Sequence, residues 1–145
     1  MFNFFKKNVD KKNDSIKYEF DIELIGSALA YEVAKADGNI NKCELDKIKH
    51  EVINKSNILG LNPEEVLETI KIQSNESVSF NDFINQINKN FSKDQKLELI
   101  DFLWHTAYAD NILDVDEERL IRRIADMIRI KDMQVLKLKN KAKQS

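Results

Sequence analysis

The chain has 145 residues, 42% hydrophobic and 33% charged, enough for one domain with a buried core. Its formal net charge of −2 gives no electrostatic case for nucleic acid, and its one cysteine, Cys43, excludes an internal disulfide framework and a zinc cluster. One proline and three glycines leave little punctuation inside elements, and no apolar run approaches the roughly 18 residues of a membrane span.

The chain opens on Met1-Phe2-Asn3-Phe4-Phe5-Lys6-Lys7, an aromatic tip followed by charge. A segment this short either packs on its own domain or touches a membrane surface or partner, and it binds membrane weakly. Residues 1–16 read as an N-terminal tail, 17–137 as a helical domain and 138–145 as a basic C-terminal tail. No signal-peptide pattern is visible, so the expected location is cytoplasmic.

The first helix is expected from Lys17 to Ala36. Phe20, Leu24, Ala28 and Tyr31 form one apolar stripe and Ile22, Ile25, Leu29 and Val33 an adjacent one, as in a helix buried on much of its circumference. The second starts at Asn41, where Asn41-Lys42-Cys43-Glu44 approximates a capping box and Ile40 with Leu45 a hydrophobic staple. Its core stripe is Leu45, Ile48, Val52 and Ile53, and Gly60 suits the position after its end. Asn62-Pro63-Glu64-Glu65 starts a third helix, with Val66, Leu67, Ile70 and Ile72 as apolar positions. Ser79 opens a fourth, with Phe80, Phe83, Ile84 and Ile87 at helical spacing. Ser92-Lys93-Asp94-Gln95 is an S-x-x-Q box that opens a fifth, reaching about Ala109 with Leu97, Ile100, Leu103, Trp104 and Ala107 inward. The sixth runs from Asp114 to about Ile130, burying Leu120, Ile121, Ile124, Ala125 and Ile128. A weaker segment from Asp132, with Met133 and Leu136, frays into the lysine-rich end. The expected fold is all-α, a compact bundle of about six to seven helices.

Two stretches repeat. Ala34-Lys35-Ala36-Asp37-Gly38-Asn39-Ile40-Asn41-Lys42-Cys43-Glu44 matches Ala107-Tyr108-Ala109-Asp110-Asn111-Ile112-Leu113-Asp114-Val115-Asp116-Glu117. Each joins two helical patterns, so the bundle reads as two pseudo-repeated helix–loop–helix halves, each with an elbow. Asp37 and Asp110 fall at helix C-termini, where the macrodipole disfavours a carboxylate. Two compensations are open: an Asx-turn that fixes the elbow, or a bound cation. Asp37, Asn39 and Asn41 copy the opening of an EF-hand calcium loop, but glycine stands at the second place and Ile48 at the twelfth, so neither elbow is an EF-hand. If the halves pack about a pseudo-two-fold axis, Asp37, Glu44, Asp110, Asp114 and Glu117 converge. Hard carboxylate oxygens without thiolate or imidazole favour Ca²⁺ or Mg²⁺ over Zn²⁺. Asn41, Asp114 and both glutamates are equally what helix starts prefer.

These same residues carry a family resemblance. Glu32-Val33-Ala34-Lys35-Ala36-Asp37-Gly38-Asn39-Ile40 with Glu44 resembles the first signature of the TerB tellurite-resistance family. Phe102-Leu103-Trp104-His105-Thr106-Ala107-Tyr108-Ala109-Asp110, Leu113-Asp114 and Glu117-Glu118-Arg119-Leu120-Ile121-Arg122-Arg123-Ile124-Ala125-Asp126 resembles the second. The likeness spans roughly Phe20 to Lys137. It implies a helical module of the stress response, with divalent metal held by Asp37, Glu44, Asp110, Asp114 and Glu117. It also implies docking to other proteins, membrane-associated stress components among them, with the inner-membrane periphery as a second location. Asn111 stands where the family usually has Gly, and Asn41 where the second motif has Asp. No enzymatic role is expected, since His50 and His105 have no partner at catalytic or ligand spacing. No nucleic-acid partner and no transmembrane segment are expected.

Overall fold

The first helix is apolar around most of its circumference, and the other helices are laid round it. The computed structural model describes residues 14–36, 38–74 and 77–144, and side chains from Leu24 onward outside 75–79. Among these residues there are seven helices and no strand: α1 (Asp14–Ala34), α2 (Lys42–Leu59), α3 (Pro63–Gln73), α4 (Ser77–Asn90), α5 (Lys93–Ala107), α6 (Val115–Met127) and α7 (Asp132–Gln144). The aromatic start, Asp37 and the expected core positions Phe20 and Ile22 lie outside the residues so described. No helix is long and apolar enough to cross a membrane among the residues searched.

On α1, Leu24, Ile25, Ala28, Leu29, Ala30, Val33 and Ala34 are all buried. A helix with so little polar face must be covered on several sides. Accordingly α1 packs against α2, α3, α4, α5 and α6, while α5 packs against α1, α2, α6 and α7. Gly26 permits the α1–α5 approach: a Cβ there would come within 3.3 Å of Leu99 Cδ1.

Most helix starts follow the capping logic. The Asn62 side chain accepts from the Glu64 and Glu65 amides at 2.9 and 3.2 Å, with Pro63 in the first turn. At Ser92 the box is reciprocal: Oγ accepts from the Gln95 amide at 3.2 Å, and the Ser92 amide donates to Gln95 Oε1 at 2.8 Å. Gly60 ends α2 at φ 72°, and the Leu61 amide closes the turn onto the Ser56 carbonyl at 2.8 Å.

Four expectations are corrected. The first helix starts at Asp14, ahead of Lys17, and ends at Ala34. Ile72 is 54% exposed, because the buried face of α3 runs through Val66, Ile70 and Gln73. The sixth helix stops at Met127, short of Ile130: Arg129 takes a left-handed φ of 66°, and the Ile130 amide bonds back to the Ala125 carbonyl at 2.9 Å. That is a Schellman ending built on arginine, without the glycine or asparagine that would signal it in sequence. Finally, residues 138–144 form no separate tail. They continue α7, and the buried positions are Val135 and Ala142, with Leu138 packed on the core, while Met133 is 82% exposed.

The last helix also distinguishes the halves. Trp104 and Tyr31 occupy matching places before the two elbows. Trp104 is fully buried, with its Nε1 donating to the Val135 carbonyl at 3.1 Å and Lys139 Nζ 5.9 Å from its ring centroid. Tyr31 is only half-buried, with Lys35 Nζ 5.9 Å from its ring. Trp104 fluorescence should therefore be blue-shifted in the native protein and move to the red on unfolding. Trp104→Phe, which loses the hydrogen bond to α7 and some packing volume, should lower stability by roughly 1–3 kcal/mol in urea titrations followed by circular dichroism.

Candidate functional site

The two elbows share the same backbone hydrogen bonds where their first helix ends. In the first, the Ala36 amide bonds to the Val33 carbonyl at 3.0 Å and the Gly38 amide to the Lys35 carbonyl at 2.9 Å. In the second, Ala109 bonds to Thr106 at 3.1 Å and Asn111 to Tyr108 at 2.8 Å. Each chain then turns through a left-handed residue, Gly38 at φ 94° and Asn111 at φ 66°. Glycine meets this without cost, and asparagine tolerates it better than other side-chain-bearing residues. The next helix starts in the same way in both. Asn41 Oδ1 accepts from the Cys43 amide at 2.7 Å, and Asp114 Oδ1 accepts from the Asp116 amide at 2.8 Å and from that of Glu117 at 3.3 Å. The two glutamates closing the motif, Glu44 and Glu117, are 3% and 2% exposed.

The fold brings the elbows together. Asn41 Nδ2 donates to Asp110 Oδ2 at 3.0 Å, across 69 residues of sequence, while Asp110 Oδ1 accepts from the Ile112 amide at 3.1 Å. Asp110 thus makes the Asx-turn and also bonds to the first elbow. Asn41 works at both ends: its oxygen caps α2 and its amide nitrogen crosses to the acid. An aspartate at 41, as the second copy has at 114, would set carboxylate against carboxylate. Asparagine keeps the cap and turns that repulsion into a charge-assisted hydrogen bond.

Of the five acidic candidates, Asp110 and Asp114 stand at the junction as turn and cap acceptors, and Glu44 and Glu117 lie buried in the first turns of α2 and α6. Asp37 lies outside the described residues. Among the described residues, no three His, Cys, Asp or Glu side chains are gathered in a way that could hold a metal ion. Asp110 and Asp114 each have acceptor capacity beyond these bonds, since an ionised carboxylate offers about four lone-pair sites.

Sequence reasoning missed several groups around the elbows. Ile112 and Val115 are 71% and 62% exposed, giving the second elbow an apolar rim beside its acids. Lys35 Nζ ties the first elbow to the end of α3 by donating to the Ser74 carbonyl at 3.1 Å and to Ser74 Oγ at 3.0 Å. The i, i+4 pair that the sequence offers, Glu118 with Arg122, is present at 4.0 Å, while Glu118 also accepts from Lys139 Nζ at 2.8 Å and Arg122 reaches Asp132 at 3.0 Å. Arg119 lies 4.0 Å from Asp116, one turn back along the helix. Glu32 lines a recess with Lys35, Asp116, Arg119 and Arg123. Burial pushes its carboxyl above the usual range, and Lys35 draws it partly back.

Three measurements test this geometry. A double-mutant cycle on Asn41→Ala and Asp110→Ala should give a coupling of about 1–2 kcal/mol, since the cycle subtracts the separate capping and turn roles. Asp114→Ala should cost about 1 kcal/mol and Asp114→Asn much less, because both Asp and Asn accept at the cap. For Glu32, the folded chain binds the proton more tightly than the unfolded chain. Its contribution is favourable below the ordinary glutamate range and is lost as pH rises through the raised value. Glu32→Gln should therefore raise the urea midpoint at pH 7 and reduce the fall in stability between acid and neutral pH.

Comparison with known proteins assigns a family. The family model described as "Tellurite resistance protein TerB" matches residues 24–140, which covers both elbows and all the helices except the start of α1 and the end of α7. No curated protein and no solved structure gives a significant match. With that match over most of its length, and with both signature elbows joined in one fold, the chain belongs to the TerB family.

Proposed function

We propose that this protein is a non-catalytic stress-response module of the tellurite-resistance type. Its joined elbows take up a divalent cation and present an acidic surface to partner proteins. The observation that carries this reading is the Asn41–Asp110 bond, which makes the two family signatures one surface. In the second elbow the repeat counterpart of Asn41 is Asp114, a carboxylate in place of the amide. Carboxylates gathered at the elbows repel one another, and a cation relieves that repulsion. Asp37, Glu44, Asp110, Asp114 and Glu117 are the proposed ligands. Their hard oxygens select Ca²⁺ or Mg²⁺. The cation supplies charge neutralisation and a fixed elbow, and the chain supplies no nucleophile or base. The exposed Ile112 and Val115 beside Asp114 and Asp116 suit partners that are apolar and basic, including proteins held at the cytoplasmic face of the inner membrane.

A second reading has its own support. Asp110 and Asp114 already accept backbone amides, which is a sufficient role for each in a metal-independent interaction scaffold. Thermal melts separate the two. A cation that binds only the folded chain stabilises it by RT ln(1 + [L]/Kd), about 2.7 kcal/mol at a hundredfold excess over Kd. Under the proposal, calcium or magnesium raises Tm relative to chelator, and Asp37→Asn or Asp114→Asn abolishes the rise while leaving the chelated protein as stable or more so. Equal melting in calcium, magnesium and chelator would leave the scaffold reading.

A further inference from the structure

We propose that the chain docks onto a second copy of itself, head to tail: the outer face of α7 on one copy, around Met133, seats against the rim of the second elbow, around Ile112 and Val115, on the next. The inference rests on the reading of that rim as a docking surface and not on a bound cation. The rim is apolar and acidic, with the exposed Asp116 next in sequence to the exposed Val115, so it fits a surface that is apolar and basic. The chain carries such a surface itself. Its last 17 residues hold six cations and one acid, in a chain whose net charge is −2. The one acid, Asp132, is taken up by Arg122 at 3.2 and 3.0 Å, and Lys139 by Glu118 at 2.8 Å. Arg129, Lys131, Lys137, Lys141 and Lys143 are exposed and form no ion pair among the described residues. Met133, strongly exposed, shares a helix face with Lys137 and Lys141 at four-residue spacing.

Geometry makes this a contact between molecules. Val115 opens α6 at the elbow, and Arg129 and Lys131 follow the far end of the same helix. With 13 residues, α6 is about 20 Å long. Met133, in the first turn of α7, lies just beyond that far end. The two surfaces therefore stand roughly a helix length apart on packed elements, and one chain cannot lay its own α7 face on its own rim. The contact is heterologous: two unlike patches meet, and every open assembly keeps one rim and one α7 face free at its ends. Opposite charge at the two patches draws copies together in that sense, and salt screens the attraction over about 10 Å at 0.1 M. A contact anchored by Ile112, Val115 and Met133 with a few charges is small and belongs to the weak, transient class.

The test is sedimentation velocity of the full chain across a concentration series, in chelator so that no cation contributes. The wild type should gain average mass with concentration at low salt and lose it at high salt. Ile112→Lys sets a cation on the rim, and Met133→Ala/Lys137→Ala strips α7 of its anchor and a charge. Each variant should stay monomeric with an unchanged circular dichroism melt, since all three side chains are exposed. An equimolar mixture of the two variants should reach the mass of a dimer and grow no further, because one intact α7 face meets one intact rim and no second contact remains. A wild type of monomer mass at every concentration would overturn the proposal, as would a mixture of variants that stays monomeric. So would a monomeric wild type that binds anionic-lipid vesicles through Met133 and Lys137, which gives the α7 face to a membrane. The calcium and magnesium melts do not depend on self-association, so this inference and the cation reading fail separately.

Discussion

A helix too apolar to face water sets the arrangement of the rest. With Leu24, Ile25, Ala28, Leu29, Ala30, Val33 and Ala34 all buried, α1 is stable only when other helices enclose it. Its partner in that burial is α5, the corresponding helix of the second half, brought close at Gly26. Both helices lead directly into an elbow. Packing α1 on α5, with α1 also touching α6 and α5 also touching α2, leaves the elbows side by side at one end. The joining of the elbows is thus a consequence of where the hydrophobic effect puts two helices.

At that end the chemistry is fine-grained. Two backbone loops of the same shape meet, and each must terminate one helix and start the next within seven residues. Left-handed residues, cap side chains and first-turn acids fulfil those needs in both copies. The copies differ where they touch: an amide at 41 meets the carboxylate of Asp110, whereas the repeat equivalent of Asn41 is the carboxylate of Asp114. The two copies thus differ at this position by a nitrogen in place of an oxygen.

The last helix adds a second asymmetry. By laying Val135 and Lys139 over Trp104 it seals the second half, while the matching Tyr31 stays half-open to solvent. The second elbow is therefore approached by a helix with a fully buried anchor. The first relies on Lys35 reaching across to Ser74.

The sequence by itself determined the helical class, most helix starts, the two elbows and the family. Those signals are local: caps, glycine and proline positions, 3.6-residue periodicity and an eleven-residue repeat all act within a few turns of chain. It also identified the acids at the elbows, and left open whether they cap helices or hold a cation, because both tasks select the same residue types. Only the tertiary structure decided which residues meet. The Asn41–Asp110 bond spans 69 residues, and nothing in either elbow alone requires it. The ending of α6 at an arginine, the burial of Val135 in place of Met133 and the exposure of Ile53 and Ile72 were likewise decided there. Each depends on which face of a helix a distant neighbour covers, and periodicity along one helix does not contain that information.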